Sequence, residues 1–254
     1  MKVVVLSSGS KGNVTYLETN NKRFLLDAGR NYKYINENLN DIGVDIKQID
    51  YVVITHNHTD HIAGLKTVLN KTNAALIVSE KLFLSIEDVK EYKHIIVLEE
   101  TIDLDEVHIT SFKSSHDAPD SRNYVFEEDG KKVCYVTDTG YINNKNFKYL
   151  KNLDVYLFES NHDIELLTHG PYPEWLKKRV LSDKGHLSNN AASFYLTKLI
   201  GKNTKNIVLI HLSETNNTEQ HALDTIYNTF KEYNIEFNNI KCARQNERTE
   251  VIEI

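Results

Sequence analysis

Four residues able to bind a metal ion fall within six consecutive positions: His56, His58, Asp60 and His61. They follow the apolar segment YVVIT (51–55) directly, and the ends of β-strands are where α/β proteins place their functional sites. Neutral imidazole and carboxylate are preferred ligands of zinc and manganese. A polar loop that happens to be rich in histidine is the alternative, but the tight spacing behind a strand favours a metal site.

Short β-branched runs and amphipathic segments alternate along the 254 residues. The first part, VVVLSS, VTYLET and KRFLLD, predicts an antiparallel meander, and residues 32–42 and 80–91 have helical spacing. The last third alternates strands with helices around PEWLKKRVLSD, NNAASFYLTKLI and residues 218–233. This order predicts an α/β (α+β) chain with two antiparallel-rich sheets and outer helices. Without a repeat or a flexible linker, residues 1–254 are expected to form a single domain.

Three more ligand-type residues stand at the ends of apolar runs. His116 follows ITSFKSS, Asp138 ends VCYVTD and His211 ends IVLIH. Any one of them alone is more typical of a turn or a strand cap. Three in succession after the histidine cluster favour a shared metal centre.

This pattern resembles the metallo-β-lactamase superfamily over essentially the whole chain. The resemblance implies a four-layer αββα sandwich and two divalent ions, Zn²⁺ or Mn²⁺. It implies the following ligands: His56, His58 and His116 for the first ion, Asp60, His61 and His211 for the second, and Asp138 bridging both. The aspartate at the bridging position, where β-lactamases typically have a cysteine, favours branches that act on phosphodiesters or thioesters.

Charge arithmetic favours the phosphodiester. Two divalent cations exceed the charge of two carboxylate ligands and a bridging hydroxide, so a positive balance remains for a phosphate and its more negative transition state. The hydroxide is the expected nucleophile. It would serve a thioester hydrolase equally well, so the metal ligands alone do not select the substrate.

Glu159 and His186 are the predicted general-acid pair, and Asp60 is counted with them among the catalytic residues. Glu159 ends the run VYLFE, and His186 precedes a helix that Ser188 is placed to cap. A histidine in a capping loop is the plain alternative. Glu159 precedes the Gly185-His186 dipeptide in the chain, and this order is similar to that of the acid pair in the tRNA 3′-processing endonucleases of the same superfamily. The candidates for substrate contacts are Ser188, Asn189 and Asn161.

A closer resemblance rests on eight segments between residues 7 and 217: SSGSKGN, LLDAG, ITHNHTDHIAGL, TDTGY, ESNHD, GPYP, GHLSN and HLSETNN. Together they are similar to the YycJ/WalJ group, bacterial cytoplasmic metallohydrolases regarded as 5′-to-3′ DNA exonucleases. The resemblance implies a nuclease with DNA, rather than RNA, as its substrate. A hydrolase of the same fold acting on a small cyclic phosphodiester or thioester is the alternative.

Composition limits the other classes. A net charge of −6 does not indicate a general nucleic-acid-binding protein, although a bound metal pair would change the local field. No apolar run reaches the length of a membrane span, and two cysteines favour a reducing cytoplasm.

Asp27, ending the run FLLD, is expected to orient a ligand imidazole. Trp175 with the cations at 177–179 suits a nucleic-acid groove and a solvated helix face equally well. The sequence leaves the oligomeric state open.

Overall fold

A computed structural model describes residues 1–254, which form fourteen strands, nine α-helices and three single-turn 3₁₀ helices. The strands are β1 (Lys2–Ser7), β2 (Val14–Glu18), β3 (Arg23–Leu26), β4 (Tyr51–Val53), β5 (Ala75–Val78), β6 (Ile95–Val97), β7 (Thr101–Leu104), β8 (Val107–Lys113), β9 (Arg122–Glu128), β10 (Lys131–Val136), β11 (Val155–Glu159), β12 (Asn206–Ile210), β13 (Ile240–Cys242) and β14 (Ile252–Glu253). The α-helices are α1 (Tyr32–Asn40), α2 (Thr59–Ile62), α3 (Leu65–Lys71), α4 (Glu80–Leu84), α5 (Phe147–Leu150), α6 (Ile164–His169), α7 (Glu174–Val180), α8 (Asn189–Leu199) and α9 (Glu219–Glu232). The 3₁₀ helices are Ile46–Gln48, Glu87–Val89 and Asn144–Asn146.

The chain divides into two compact units. Unit 1 comprises Met1–Ser111, Ala118–Arg122 and Arg244–Ile254. Its seven-stranded sheet has the order β14-β1-β2-β3-β4-β5-β6. Strands β1 to β3 form the expected antiparallel meander, whereas β3 to β6 are parallel. The apolar residues of helices α1 and α3 pack with those of the sheet in one hydrophobic core.

Unit 2 comprises Phe112–Asp117 and Asn123–Ala243. It holds strands of the second sheet in the order β13-β12-β11-β10-β9, with only the β9–β10 pair antiparallel. The buried face of α8, which includes Ala192, Leu196 and Leu199, joins the core of this unit. Three of its four strand pairs are parallel, and the sheet of unit 1 has three antiparallel and three parallel pairs. The sheets are therefore mixed, and the expectation of antiparallel-rich sheets was wrong. Strands β10 to β12 are buried along most of their length, and such strands do not reveal their polarity in sequence.

Most predicted elements are present, with shifted boundaries. The helix expected over 80–91 is interrupted: α4 ends at Leu84 and a 3₁₀ turn follows at Glu87–Val89. Helices α5 and α6 and the short strands β13 and β14 were not predicted, because each is too short to show a periodic spacing of apolar residues. None of the nine α-helices has both the length and the apolar character needed to cross a bilayer. The single domain expected over 1–254 stays a prediction.

Candidate metal centre

In unit 1, two neighbouring parallel strands carry the histidine cluster and its supporting aspartate. The register of β3 and β4 pairs Leu26 with Val53, so both strands end at the same edge of the sheet. Asp27 therefore follows β3 beside the start of the cluster after β4, and its N–H donates to the carbonyl of Val53 at 2.8 Å. Two residues later, a Cβ at Gly29 would lie 1.7 Å from the carbonyl oxygen of Asp60, so only glycine allows this approach.

The fully buried Asp27 carboxylate organises the imidazoles of His56 and His61. It accepts from Nδ1 of His61 at 2.7 Å and from the hydroxyl of Thr55 at 3.0 Å. The Thr55 oxygen in turn accepts from Nδ1 of His56 at 3.0 Å. The backbone of Asp27 is left-handed, with φ 60°. Aspartate tolerates that conformation better than most residues.

The remaining members of the cluster lie close by in unit 1. The ring of His56 is 4.6 Å from that of His58 and 4.1 Å from that of His61, measured between centroids. His58 is the N-cap residue of α2, and its side chain makes no capping hydrogen bond. The Asp60 carboxylate is 3.4 Å from Nε2 of His61. Asn13 donates its amide to Asp60 at 3.2 Å and lies 3.0 Å from the same Nε2.

In unit 2, the parallel strands β10, β11 and β12 end at one edge of their sheet. Asp138 lies two residues beyond β10, Glu159 is the last residue of β11, and His211 follows β12. Asp138 and His211 are both left-handed, with φ 51° and 57°, so the chain turns sharply at these residues. Strand register alone therefore assembles three predicted site residues at this edge.

Asp138 is surrounded by three histidines of unit 2. Its carboxylate oxygens lie 3.5 Å from Nε2 of His116, 3.7 Å from Nδ1 of His186 and 3.8 Å from Nδ1 of His211. Asp138, Glu159, His186 and His211 offer ligand atoms that all lie within 4.8 Å of one another. A buried group of carboxylates and imidazoles this compact is suited to binding a metal ion.

Glu159 binds two histidines through one oxygen. Its Oε1 lies 2.7 Å from Nδ1 of His186 and 3.1 Å from Nδ1 of His211. The other oxygen accepts from the N–H of Thr139 at 2.9 Å. Burial alone would raise the pKa of this carboxyl, but the charge of His186 and hydrogen bonds from both histidines lower the pKa below its ordinary value. Glu159 therefore remains a carboxylate inside the protein.

One hydrogen-bonding pattern recurs at four of the predicted histidine ligands. In each, an oxygen lies within hydrogen-bonding distance of Nδ1: Thr55 for His56, Asp27 for His61, the carbonyl of Gly185 for His116 at 3.1 Å, and Glu159 for His211. Donation from Nδ1 fixes the ring tautomer and assigns the lone pair to Nε2. Metal-binding histidines show this arrangement. The donor set therefore fits a divalent metal.

The three predicted substrate residues lie in unit 2, and two of them, Asn161 and Asn189, are joined through Asn217 in a buried polar network. Ser188 caps α8 as predicted, accepting from the N–H of Ala191 at 3.2 Å. Asn189 is fully buried, and its amide exchanges two hydrogen bonds with that of Asn217, each 2.9 Å. Asn161 donates to the carbonyl of His211 at 2.9 Å. The geometry of Asn189 favours a structural role over contact with a substrate.

Three supporting residues were not identified from the sequence: Asn13, Thr55 and Asn217. Asn13 lies 47 positions from Asp60 and Asn217 lies 28 positions from Asn189, so only the fold reveals these contacts. Thr55 is adjacent to His56, but nothing in the sequence shows that its hydroxyl bridges to Asp27. The metal and catalytic roles of the residues named from the sequence stay predictions.

The chain is similar to two named exonucleases. It is 39% identical over 234 residues to "Exodeoxyribonuclease WalJ" of Streptococcus pneumoniae serotype 2 (strain D39 / NCTC 7466), covering 89% of this chain and 87% of that protein. It is 33% identical over 233 residues to "Exodeoxyribonuclease YycJ" of Bacillus anthracis, covering 90% and 88%. The resemblance to the YycJ/WalJ group is thereby confirmed.

Solved structures show the same fold at low sequence identity. The metallo-β-lactamase fold protein YhfI from Bacillus subtilis superposes with a TM-score of 0.70 and 15% identity, covering 98% of this chain and 99% of that one. Human tRNase Z, short form, gives a TM-score of 0.67 and 16% identity, covering 98% and 99%. The predicted fold class is confirmed. Residues 22–212 also match the family described as "Beta-lactamase superfamily domain". The chain therefore belongs to the β-lactamase superfamily.

Proposed function

We propose that this protein is a metal-dependent phosphodiester hydrolase that degrades DNA from the 5′ end. The proposal of metal dependence rests on one observation: at four of the predicted histidine ligands, Nδ1 lies within hydrogen-bonding distance of an oxygen. The choice of DNA rests on the relatives named exodeoxyribonuclease at 39% and 33% identity. The positive balance of a metal pair suits a phosphodiester better than a neutral thioester.

The proposed ligands divide into two sets that share Asp138. His56, His58 and His116 would hold one divalent ion, and Asp60, His61 and His211 would hold the other. Zinc and manganese both suit imidazole and carboxylate ligands. When bound, such ions supply a water of lowered pKa and neutralise charge on the phosphoryl oxygens.

His186 is proposed as the general acid and Glu159 as the residue that orients it. The 2.7 Å contact between Glu159 and Nδ1 of His186 fixes the orientation of the ring, so that Nε2 is the nitrogen left to face a substrate. The proton on Nε2 is then the one available for the leaving oxygen. Because the His186 side chain is 15% exposed, the imidazole remains accessible while the carboxylate behind it is buried.

Degradation of end-labelled DNA and RNA tests the proposal. Protein stripped of metal by a chelator is assayed with zinc or manganese added back separately. We expect either ion to restore release of mononucleotides from the 5′ end of DNA, with RNA degraded more slowly. If neither polymer is cleaved while bis-p-nitrophenyl phosphate is hydrolysed, the protein is a phosphodiesterase of small substrates and the nuclease assignment is wrong.

The acid role has a separate test. His186→Ala is expected to lower turnover of DNA by about 100- to 10,000-fold, the usual contribution of a general acid, while the metal content is retained. Turnover of bis-p-nitrophenyl phosphate should fall much less, because p-nitrophenolate leaves without protonation. Equal losses with both substrates would contradict the acid role, even if His186 proved essential.

A further inference from the structure

Helix α7 presents an exposed aromatic side chain in the part of unit 2 that supports His116 and His186. Trp175 is the only tryptophan of the chain, and at 67% it is the most exposed of its large apolar side chains. The indole makes no stacking or cation–π contact within the protein. Tryptophan side chains are on average largely buried, so an indole this exposed offers an open flat apolar surface to a ligand.

The same helix face carries positive charge. Trp175, Lys178 and Arg179 are spaced i, i+3 and i+4, which places them side by side on α7. Lys178 is exposed and forms no ion pair, whereas Lys177 is held by Glu174 and by the carbonyl of Thr168. Residues 170–185 contain four basic and two acidic side chains in a chain whose net charge is −6. The helix is therefore a local positive region on an acidic protein.

Hydrogen bonds connect this helix to the proposed catalytic residues of unit 2. The Arg179 guanidinium pairs with Asp117, the residue after His116. At the end of the helix, the carbonyl of Val180 accepts from the N–H of His186 at 3.0 Å. Trp175 precedes Val180 by five residues, or about 7.5 Å of helix, which corresponds to about two stacked nucleotides. A strand bound at Trp175 would thus lie within reach of His186.

We propose that the face of α7 formed by Trp175 and Lys178 binds a single DNA strand next to the cleavage site, with one base stacked on the indole and the ammonium group near a phosphate. This inference rests on the proposed nuclease function and specifies where its substrate binds. An indole stacks on any base, so the contact would suit an enzyme that shortens strands regardless of sequence. Charge complementarity favours a nucleic acid over a second copy of this acidic chain.

Phe194 on α8 provides a matched control. It is 46% exposed, but its ring lies against Tyr195 and Tyr233 and beneath the Lys198 ammonium. Its aromatic surface is therefore already used within the fold. Phe194→Ala removes an exposed aromatic of similar size without removing the proposed stacking surface.

The single tryptophan makes the binding test direct. Metal-loaded protein is titrated with a nuclease-resistant phosphorothioate oligothymidylate while the indole fluorescence is recorded. We expect saturable quenching. Trp175→Ala should raise KM for oligonucleotides about 10- to 100-fold. Trp175→Phe, which keeps an aromatic ring, should have a KM close to that of the unsubstituted protein, and Phe194→Ala should not change KM. Hydrolysis of bis-p-nitrophenyl phosphate should be the same in all four proteins.

The outcomes separate this inference from the proposed function. If the protein degrades DNA and Trp175→Ala leaves KM and strand binding unchanged, the surface does not bind the strand, although the nuclease function stands. If no oligonucleotide binds or is degraded, both are wrong. If Trp175→Ala instead changes only the sedimentation coefficient, the face contacts a second copy and the proposal is overturned. Lys178→Gln should weaken strand binding, and the slope of log affinity against log salt concentration should fall by about one released counterion.

Discussion

Asp27 is the residue on which two of the proposed ligand histidines converge. It accepts directly from His61 and, through the Thr55 hydroxyl, receives the hydrogen bond that begins at His56. One buried carboxylate thus determines which nitrogen of both rings can bind a metal. A carboxylate behind an imidazole also raises the basicity of the ligand and fixes its orientation.

Asp27→Asn should lower metal affinity by about 10- to 100-fold. The amide keeps the size of the side chain, but its NH2 group replaces one carboxylate oxygen and can only donate, so the remaining oxygen must serve both His61 and Thr55. Competition against a chromophoric chelator measures the affinity. Asp103→Asn is the control, because Asp103 makes the same 2.7 Å contact with Nδ1 of His108 on the exposed surface. Equal affinities in the two variants would remove the role assigned to Asp27.

The residues themselves were the most predictable part of the candidate centre. Each proposed ligand is a histidine or aspartate near the end of an apolar run, and the resemblance to a known superfamily then assigned the set. The predicted contact between Asp27 and a ligand imidazole is present in the structure. Asn13 could not be selected, because its contacts with Asp60 and His61 depend on a loop approaching from 47 and 48 positions away.

At the scale of elements, a pair of buried amides joins three segments of unit 2. Asn217, in the loop between β12 and α9, exchanges hydrogen bonds with Asn189 at the start of α8. Its amide also donates to the carbonyl of Ser160, the residue after Glu159, at 2.9 Å. The pair therefore fixes the loop that follows β11 relative to the helix that follows His186.

Asn217→Ala should lower the free energy of unfolding by about 1–3 kcal/mol, because buried polar groups of Asn189 and Ser160 lose their partners. Urea denaturation measures the change. Asn239→Ala is the control: that amide also makes two hydrogen bonds, to Lys205 and Asn206, but it is exposed. Its loss should cost less than about 0.5 kcal/mol. Similar values for both variants would show that the buried pair adds no special stability.

For the whole molecule, the sequence predicted the class of fold better than the pairing of its strands. The N-terminal meander was recognised because short loops containing Gly and Asn join its strands. The parallel pairs of β3 to β6 were not, since buried strands such as β4 and β5 lack an alternating pattern. Strands β13, with three residues, and β14, with two, are too short to show a pattern of period two.

Metal removal tests the proposed centre on the molecule as a whole. An ion that binds only the folded state stabilises it by an amount set by its free concentration, about 2.7 kcal/mol at 100 times Kd. For a chain of this size that corresponds to a rise in Tm of roughly 5–10 °C for each ion bound. Zinc or manganese added to chelator-stripped protein should produce this rise, and calcium, which prefers more oxygen ligands, should not.

Substitution of the shared ligand gives this measurement its control. Asp138 lies within 3.5–3.8 Å of His116, His186 and His211, so its loss should disturb both proposed ions. Asp138→Asn should therefore abolish most of the rise in Tm, whereas Asp103→Asn should retain it. A full rise in Asp138→Asn would mean that the stabilising ion binds elsewhere, and the proposed ligand set would then be wrong. A rise that reaches only half in Asp138→Asn would show that one ion binds without the shared carboxylate.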